Sequence, residues 1–172
     1  MAILSKSNNS FRGQLPDEKT VLVTRKHWIV LLIPMSFILI MAVAPYIVYH
    51  YFLQPNSWFN DNINFLFRFL TTVYFLVIWN TAFYNVMIYS LNTLVITNKR
   101  VVENKQMGFF KNIVNEIKLD KVQDVSVKIY GPLASFLNYG NVEVQSAGAV
   151  NKFFFKQFPN PKDIKKIISD SV

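Results

Sequence analysis

Cysteine is absent from the 172 residues, so disulfide frameworks, thiolate nucleophiles and Cys-bound zinc or iron–sulfur centres are all excluded. Histidine occurs only as His27 and His50, which flank opposite ends of one apolar run and cannot share a metal. Charge is scarce too: Asp, Glu, Lys and Arg make up 16% of the chain, where soluble domains run near a quarter. The scarcer sign is negative, ten acids against eighteen Lys and Arg. Gly108, Gly131, Gly140 and Gly148 match no phosphate-cradling loop, and read as turn glycines supplying positive φ or close backbone approach. No nucleophile–base pair or metal cluster can be assembled, so no catalytic, cofactor or metal residues are expected and the chain reads as a non-enzyme.

Apolar residues are abundant, at 52% with 16% aromatic and a mean hydropathy of +0.24. Such a chain needs a non-aqueous solvent for part of its length. Trp28 to Leu53 is a run of 26 residues with no formal charge except that of a protonated His50, and a membrane span needs ~20. Pro34 and Pro45 fall inside it, as tolerated kinks. The second apolar run begins at Phe69. The expected organisation is a cytoplasmic N-terminal segment 1–27, transmembrane helix 28–53, external loop 54–68, transmembrane helix 69–90 and a cytoplasmic domain 91–172. Orientation follows from five Lys and Arg in 1–27, twelve in 91–172 and none in 54–67, with Arg68 a small contrary signal. Both termini are therefore expected in the cytoplasm of a multi-pass cell-membrane protein. Trp28 at one end of the first span, and Tyr49, Tyr51, Trp58 and Phe59 near the other, fit aromatic interfacial belts.

After Ser90 the pattern shifts to short β-rich runs separated by turn signals. Strands are expected near Leu91–Thr97, Arg100–Gln106, Asn112–Leu119, Asp124–Ile129, Asn141–Gln145 and Lys152–Lys156, with a helical turn at Leu133–Leu137. The chain closes on NPKDIKKIISDS, with Asn160 as N-cap, Pro161 at the first helical position, and Ile164, Ile167 and Ile168 as one apolar stripe. The fold class is a membrane α-helical hairpin plus an all-β domain: a partly open antiparallel barrel of about six to seven strands with a C-terminal helix.

The runs LVITNKRVV, IKLDKVQDVSVKI, FLNYGNVEVQSAG and FPNPKDIKKII, with DEKTVLVTRKHW before the first span, resemble the bacterial pleckstrin-homology family of small two-helix membrane proteins. The resemblance covers roughly residues 16–170. It implies a pleckstrin-homology (PH) fold and membrane attachment, and implies no chemistry.

Candidate sites follow from residue type and placement. Glu103, Glu116, Asp120, Asp124 and Glu143 alternate with apolar residues and are expected mostly on solvated strand faces. Eukaryotic PH domains use Lys and Arg around the first β-turn to bind phosphoinositides, and Lys99-Arg100 occupies that turn in the expected strand order. Strand parity from Leu91 carries that turn ~20 Å away from the bilayer. The same parity returns Met107–Lys111 and Tyr130–Leu137 to headgroup level. The expected membrane- or partner-facing rim is therefore Phe109, Phe110, Lys111, Tyr130, Leu133 and Phe136. Asn80 and Asn85 are expected in helix–helix contact, within the hairpin or between protomers. His27 and Trp28 are expected as interfacial anchors. The expected partners are membrane lipids, protein partners and a second copy of the chain, with nucleic acid excluded because the basic residues form no single stripe. The expected function is anionic-lipid binding or protein scaffolding at the membrane; the alternative is a structural subunit of a homo-oligomer or larger membrane complex.

Overall fold

The computed structural model describes residues 14–15, 17–56, 60–147 and 152–171. Trp58, Phe59 and Gly148, named above, and Lys6 and Arg12, two of the five basic residues counted in 1–27, lie outside the described residues. The chain divides into two compact units, one spanning Ile29–Met87 and the other joining the chain up to Trp28 with Ile88 onward.

The first unit is a helical hairpin. Helix α1 (Ile29–Ile47) continues into a wider π turn, Val48–Leu53, and α2 runs over Asp61–Leu91. Both are long and apolar enough to cross a membrane. The second helix starts eight residues before the expected Phe69, which shortens the expected 54–68 loop. The reason is local: Asn60 caps it, its Oδ1 accepting the Ile63 amide at 3.1 Å, with Asp61 in the first turn. Between the helices the Tyr74 hydroxyl donates to the Met41 carbonyl at 2.8 Å, and the rings of Tyr49 and Phe67 stack at 5.7 Å.

The second unit is the β domain. Its first strand, β1 (Thr20–Arg25), precedes the helices. The strands β2 (Thr93–Thr97), β3 (Arg100–Gln106), β4 (Asn112–Lys118), β5 (Val122–Lys128), β6 (Tyr139–Ser146) and β7 (Phe153–Pro159) follow them. Helix α3 (Pro132–Phe136) lies between β5 and β6, and α4 (Pro161–Asp170) ends the fold. The strands form two antiparallel sheets, β1-β2-β3-β4 and β5-β6-β7. This fits the expected PH-like class, with one correction: the domain does not begin at residue 91. Leu22 pairs with Ile96 and Arg25 with Thr93, so the segment expected as a plain juxtamembrane stretch is an edge strand, and the helices are inserted between β1 and β2.

Period-two alternation places Leu22, Leu94, Ile96, Val101, Val125, Val142, Val144 and Phe155 in one core. Ile164 and Ile168 of α4 close it, the stripe expected from the sequence. Asn160 does not cap α4 with its side chain. Its Oδ1 instead accepts a hydrogen bond from Asn138 Nδ2 at 2.8 Å, and both residues adopt the left-handed backbone that Asn tolerates.

Candidate functional site

Register defines two ends of the β domain. At one end β2 turns into β3 through Asn98 and Lys99, and the amide of Leu119, opening the turn before β5, donates to the Lys99 carbonyl at 3.0 Å. At the other end β1 finishes, β2 begins, and β3 turns into β4 through Met107–Lys111. The three-stranded sheet joins this second end through His27, whose amide donates to the Gln157 carbonyl at 2.8 Å and whose ring stacks on Tyr139 at 5.0 Å. Tyr139 opens β6 directly after α3, so the α3 segment lies there too.

The Lys99-Arg100 turn is organised by the segment before β1. Glu18 is buried, and its two oxygens meet Arg100 Nε at 2.9 Å and Nη2 at 3.0 Å. Arg100 Nη1 reaches Glu116 at 2.8 Å. Thr97 Oγ1 donates to Glu18 Oε1 at 2.8 Å, and the Leu15 amide donates to Oε2 at 2.7 Å. The guanidinium beside Glu18 holds the carboxyl down at about 2, against the opposing effect of burial, and Glu18 in turn raises Arg100. Arg100 is thus spent on internal ion pairs and offers no free guanidinium to a ligand. The Lys99-Arg100 turn is also the second strand connection rather than the first, because β1 comes earlier.

The expectation of solvated acids needs correction at two positions, since Glu103 and Glu143 are buried. Glu103 accepts a hydrogen bond from Asn115 Nδ2 at 2.9 Å. Glu143 is bridged by Lys128 and Lys152, which lower its pKa. Each acid has gained a cross-strand polar partner, which alternation alone does not reveal.

The end carrying β3–β4 and α3 has a different character. Phe109, Phe110, Tyr130, Leu133 and Phe136 are exposed there, Phe136 by 89% and Phe110 completely, with Lys111 exposed beside them. Gly131 starts α3 at φ 87° and ψ 162°, a conformation open essentially to glycine alone. Tyr130 and Leu133 are thereby presented on either side of a fixed kink. His27 is buried, and burial lowers its pKa; the ring expected as an anchor packs against Tyr139, while Trp28 stays exposed.

Three lysines at this end were not singled out from the sequence. Arg25 pairs with Thr93 and Thr93 with Asn104, so Lys26 and Lys105 flank Asn92 across the sheet. Burial, and then the charge of Lys105, lower the Lys26 ammonium; Lys156 adds to this and Glu103 opposes it. None of the three forms an ion pair among the described residues. The signal was present as Lys placed at strand ends, but only the register of β1 brings Lys26 to Lys105.

Asn80 and Asn85 are not brought together. Asn85 Nδ2 donates to the Thr81 carbonyl of its own helix at 2.8 Å, and Asn80 is exposed. Among the described residues no group of three or more His, Asp or Glu is placed to hold a metal.

No curated protein matches the chain. Among solved structures it is similar to a crystal structure of a DUF1696 family protein with a pleckstrin-homology domain from Shewanella loihica PV-4. The identity is 17% and the TM-score 0.39, with 47% of this chain and 71% of that chain covered. A family model described as "Bacterial PH domain" matches residues 62–172, more than half of the sequence. The chain belongs to the bacterial PH domain family.

Proposed function

We propose that this protein is a non-enzymatic, two-span membrane protein whose PH-like domain lies in the cytoplasm and applies its aromatic end to an anionic lipid surface. The observation that carries the reading is the exposure of Phe109, Phe110, Tyr130, Leu133 and Phe136 at the end where β1 finishes and β2 begins. Exposed rings grouped this way are costly in water and favourable at headgroup depth, where aromatic side chains concentrate. Lys111 adds ~1 kcal/mol of attraction to an anionic leaflet. Lys26, Lys105 and Lys156 support the same sign of partner, because an anion beside them offsets the mutual repulsion that adds to burial in lowering Lys26. The opposite end is a poorer candidate, its arginine being closed by Glu18 and Glu116.

The test uses the full chain, because a piece starting at residue 91 lacks β1. Spin labels at positions 99 and 110 are read for depth in phosphatidylglycerol and phosphatidylcholine vesicles. Position 110 is expected in contact with lipid, more deeply in the anionic vesicles, and position 99 in water. Lipid contact at 99 with water at 110 would overturn the reading.

A further inference from the structure

The two asparagines of α2 lie on different sides of the helix. Five residues at 3.6 per turn separate Asn80 from Asn85 by about 140°. Thr71, Tyr74, Ile78, Ala82 and Asn85 are partly buried and recur every three or four residues, and Tyr74 bonds to Met41 of α1. That stripe is the face turned to α1, and Asn85 belongs to it. Asn80 belongs to another stripe with Val73, Leu76 and Phe83, all exposed. Among the described residues the Asn80 amide has no hydrogen-bond partner.

Depth makes this consequential. Asn80 is eleven residues from Leu91, where α2 ends. At 1.5 Å per residue this is ~16 Å, about half of a ~30 Å hydrocarbon core. On the spanning reading above, on which this inference rests, an unpaired primary amide faces lipid near the bilayer midplane. Lipid offers it no donor or acceptor.

We propose that Asn80 is the central contact of a homodimer in which α2 packs against α2 of a second copy. A carboxamide is self-complementary, each supplying one donor and one acceptor to the other across a two-fold axis. Copies inserted with one topology place Asn80 at the same depth, so a second copy brings a matching amide to that level without further adaptation. Val73, Leu76, Asn80 and Phe83 also follow the three-four spacing of a left-handed helix pair, with Asn at a seam position that favours two strands in register.

The absence of Cys allows a single label through Asn56→Cys in the loop. Energy transfer between donor- and acceptor-labelled full-length chains is measured in liposomes over a range of protein-to-lipid ratios. Wild type is expected to self-associate. Asn80→Leu should weaken association about three- to thirtyfold, Asn80→Gln should retain it within a few-fold, and Asn85→Leu should leave it unchanged. The inference is overturned if Asn80→Leu follows the wild-type curve. It is overturned equally if wild type stays monomeric at every ratio, which would give Asn80 to a different membrane protein. Alkaline carbonate extraction of the same samples separates the two ideas. Release of wild type removes the spanning reading and the dimer with it, whereas retention with unchanged energy transfer in Asn80→Leu removes the dimer alone.

Discussion

Glu18 closes on Arg100 across 82 positions of sequence, with paired contacts of 2.9 and 3.0 Å that lock the segment before β1 onto the β2–β3 turn. Removing Glu18 takes two charged contacts from a buried guanidinium and leaves it only Glu116, which costs more than the intact pair contributes. Glu18→Gln is expected to destabilise the β domain by about 2–4 kcal/mol. The pH dependence has a defined sign. The Glu18 carboxyl is held at about 2 against an ordinary 4.5, so its contribution is complete above pH 4.5 and is lost as pH falls from there toward 2. The loss is on the order of 2–3 kcal/mol. Hydrogen exchange of the β1 amides, followed from pH 6 to pH 3, should show wild type loosening on acidification and Glu18→Gln already loose with a flatter profile. Identical profiles would remove Glu18 from the account.

This contact also marks where the sequence stopped being readable. Apolar run length exposed both helices, and alternation with turn signals exposed six strands, because those patterns are local. The Ile164, Ile167 and Ile168 stripe exposed α4 for the same reason. In TVLVTR the β-branched signal is present, but its partner β2 begins nearly 70 residues later, beyond two helices, and the adjoining apolar run dominates. Without β1 there is no Glu18 opposite Arg100 and no Lys26 beside Lys105. The early start of α2 was hidden by Asn62, Asn64 and Arg68, which dilute its first turns. The exposure of Phe109, Phe110, Tyr130, Leu133 and Phe136 was legible because turn residues stay at the surface whichever strands they join. The burial of Glu103 and Glu143 was not, because it depends on cross-strand partners.

Gly140 illustrates close approach inside a strand. A Cβ there would stand 2.8 Å from the Lys128 carbonyl oxygen, 3.0 Å from Ile129 Cγ1 and 3.3 Å from Pro161 Cγ. The first obstacle is backbone and cannot rotate aside, and the last ties β6 to the start of α4. Gly140→Ala should therefore cost about 1–3 kcal/mol through overpacking. Thermal unfolding followed by the signal of the β domain checks this; an unchanged midpoint would mean that β6 and α4 separate freely.

The Tyr74 hydroxyl meets a carbonyl whose usual helical donor is missing from α1. Pro45 has no N–H, so the bond it would donate to Met41, four residues earlier, is missing. Tyr74 from α2 donates to that carbonyl at 2.8 Å. A free carbonyl in an apolar setting is unfavourable, so this single bond both repairs the proline break and fixes the register of the hairpin. Tyr74→Phe should weaken packing of α1 on α2 by about 0.6–2 kcal/mol. The diagnostic is a double-mutant cycle, because Pro45→Ala restores an amide to Met41 and makes the hydroxyl redundant. In that background Tyr74→Phe should cost close to nothing, measured by reversible unfolding of the full chain in bicelles. Equal cost in both backgrounds would show that Tyr74 acts through packing and not through the carbonyl freed by Pro45.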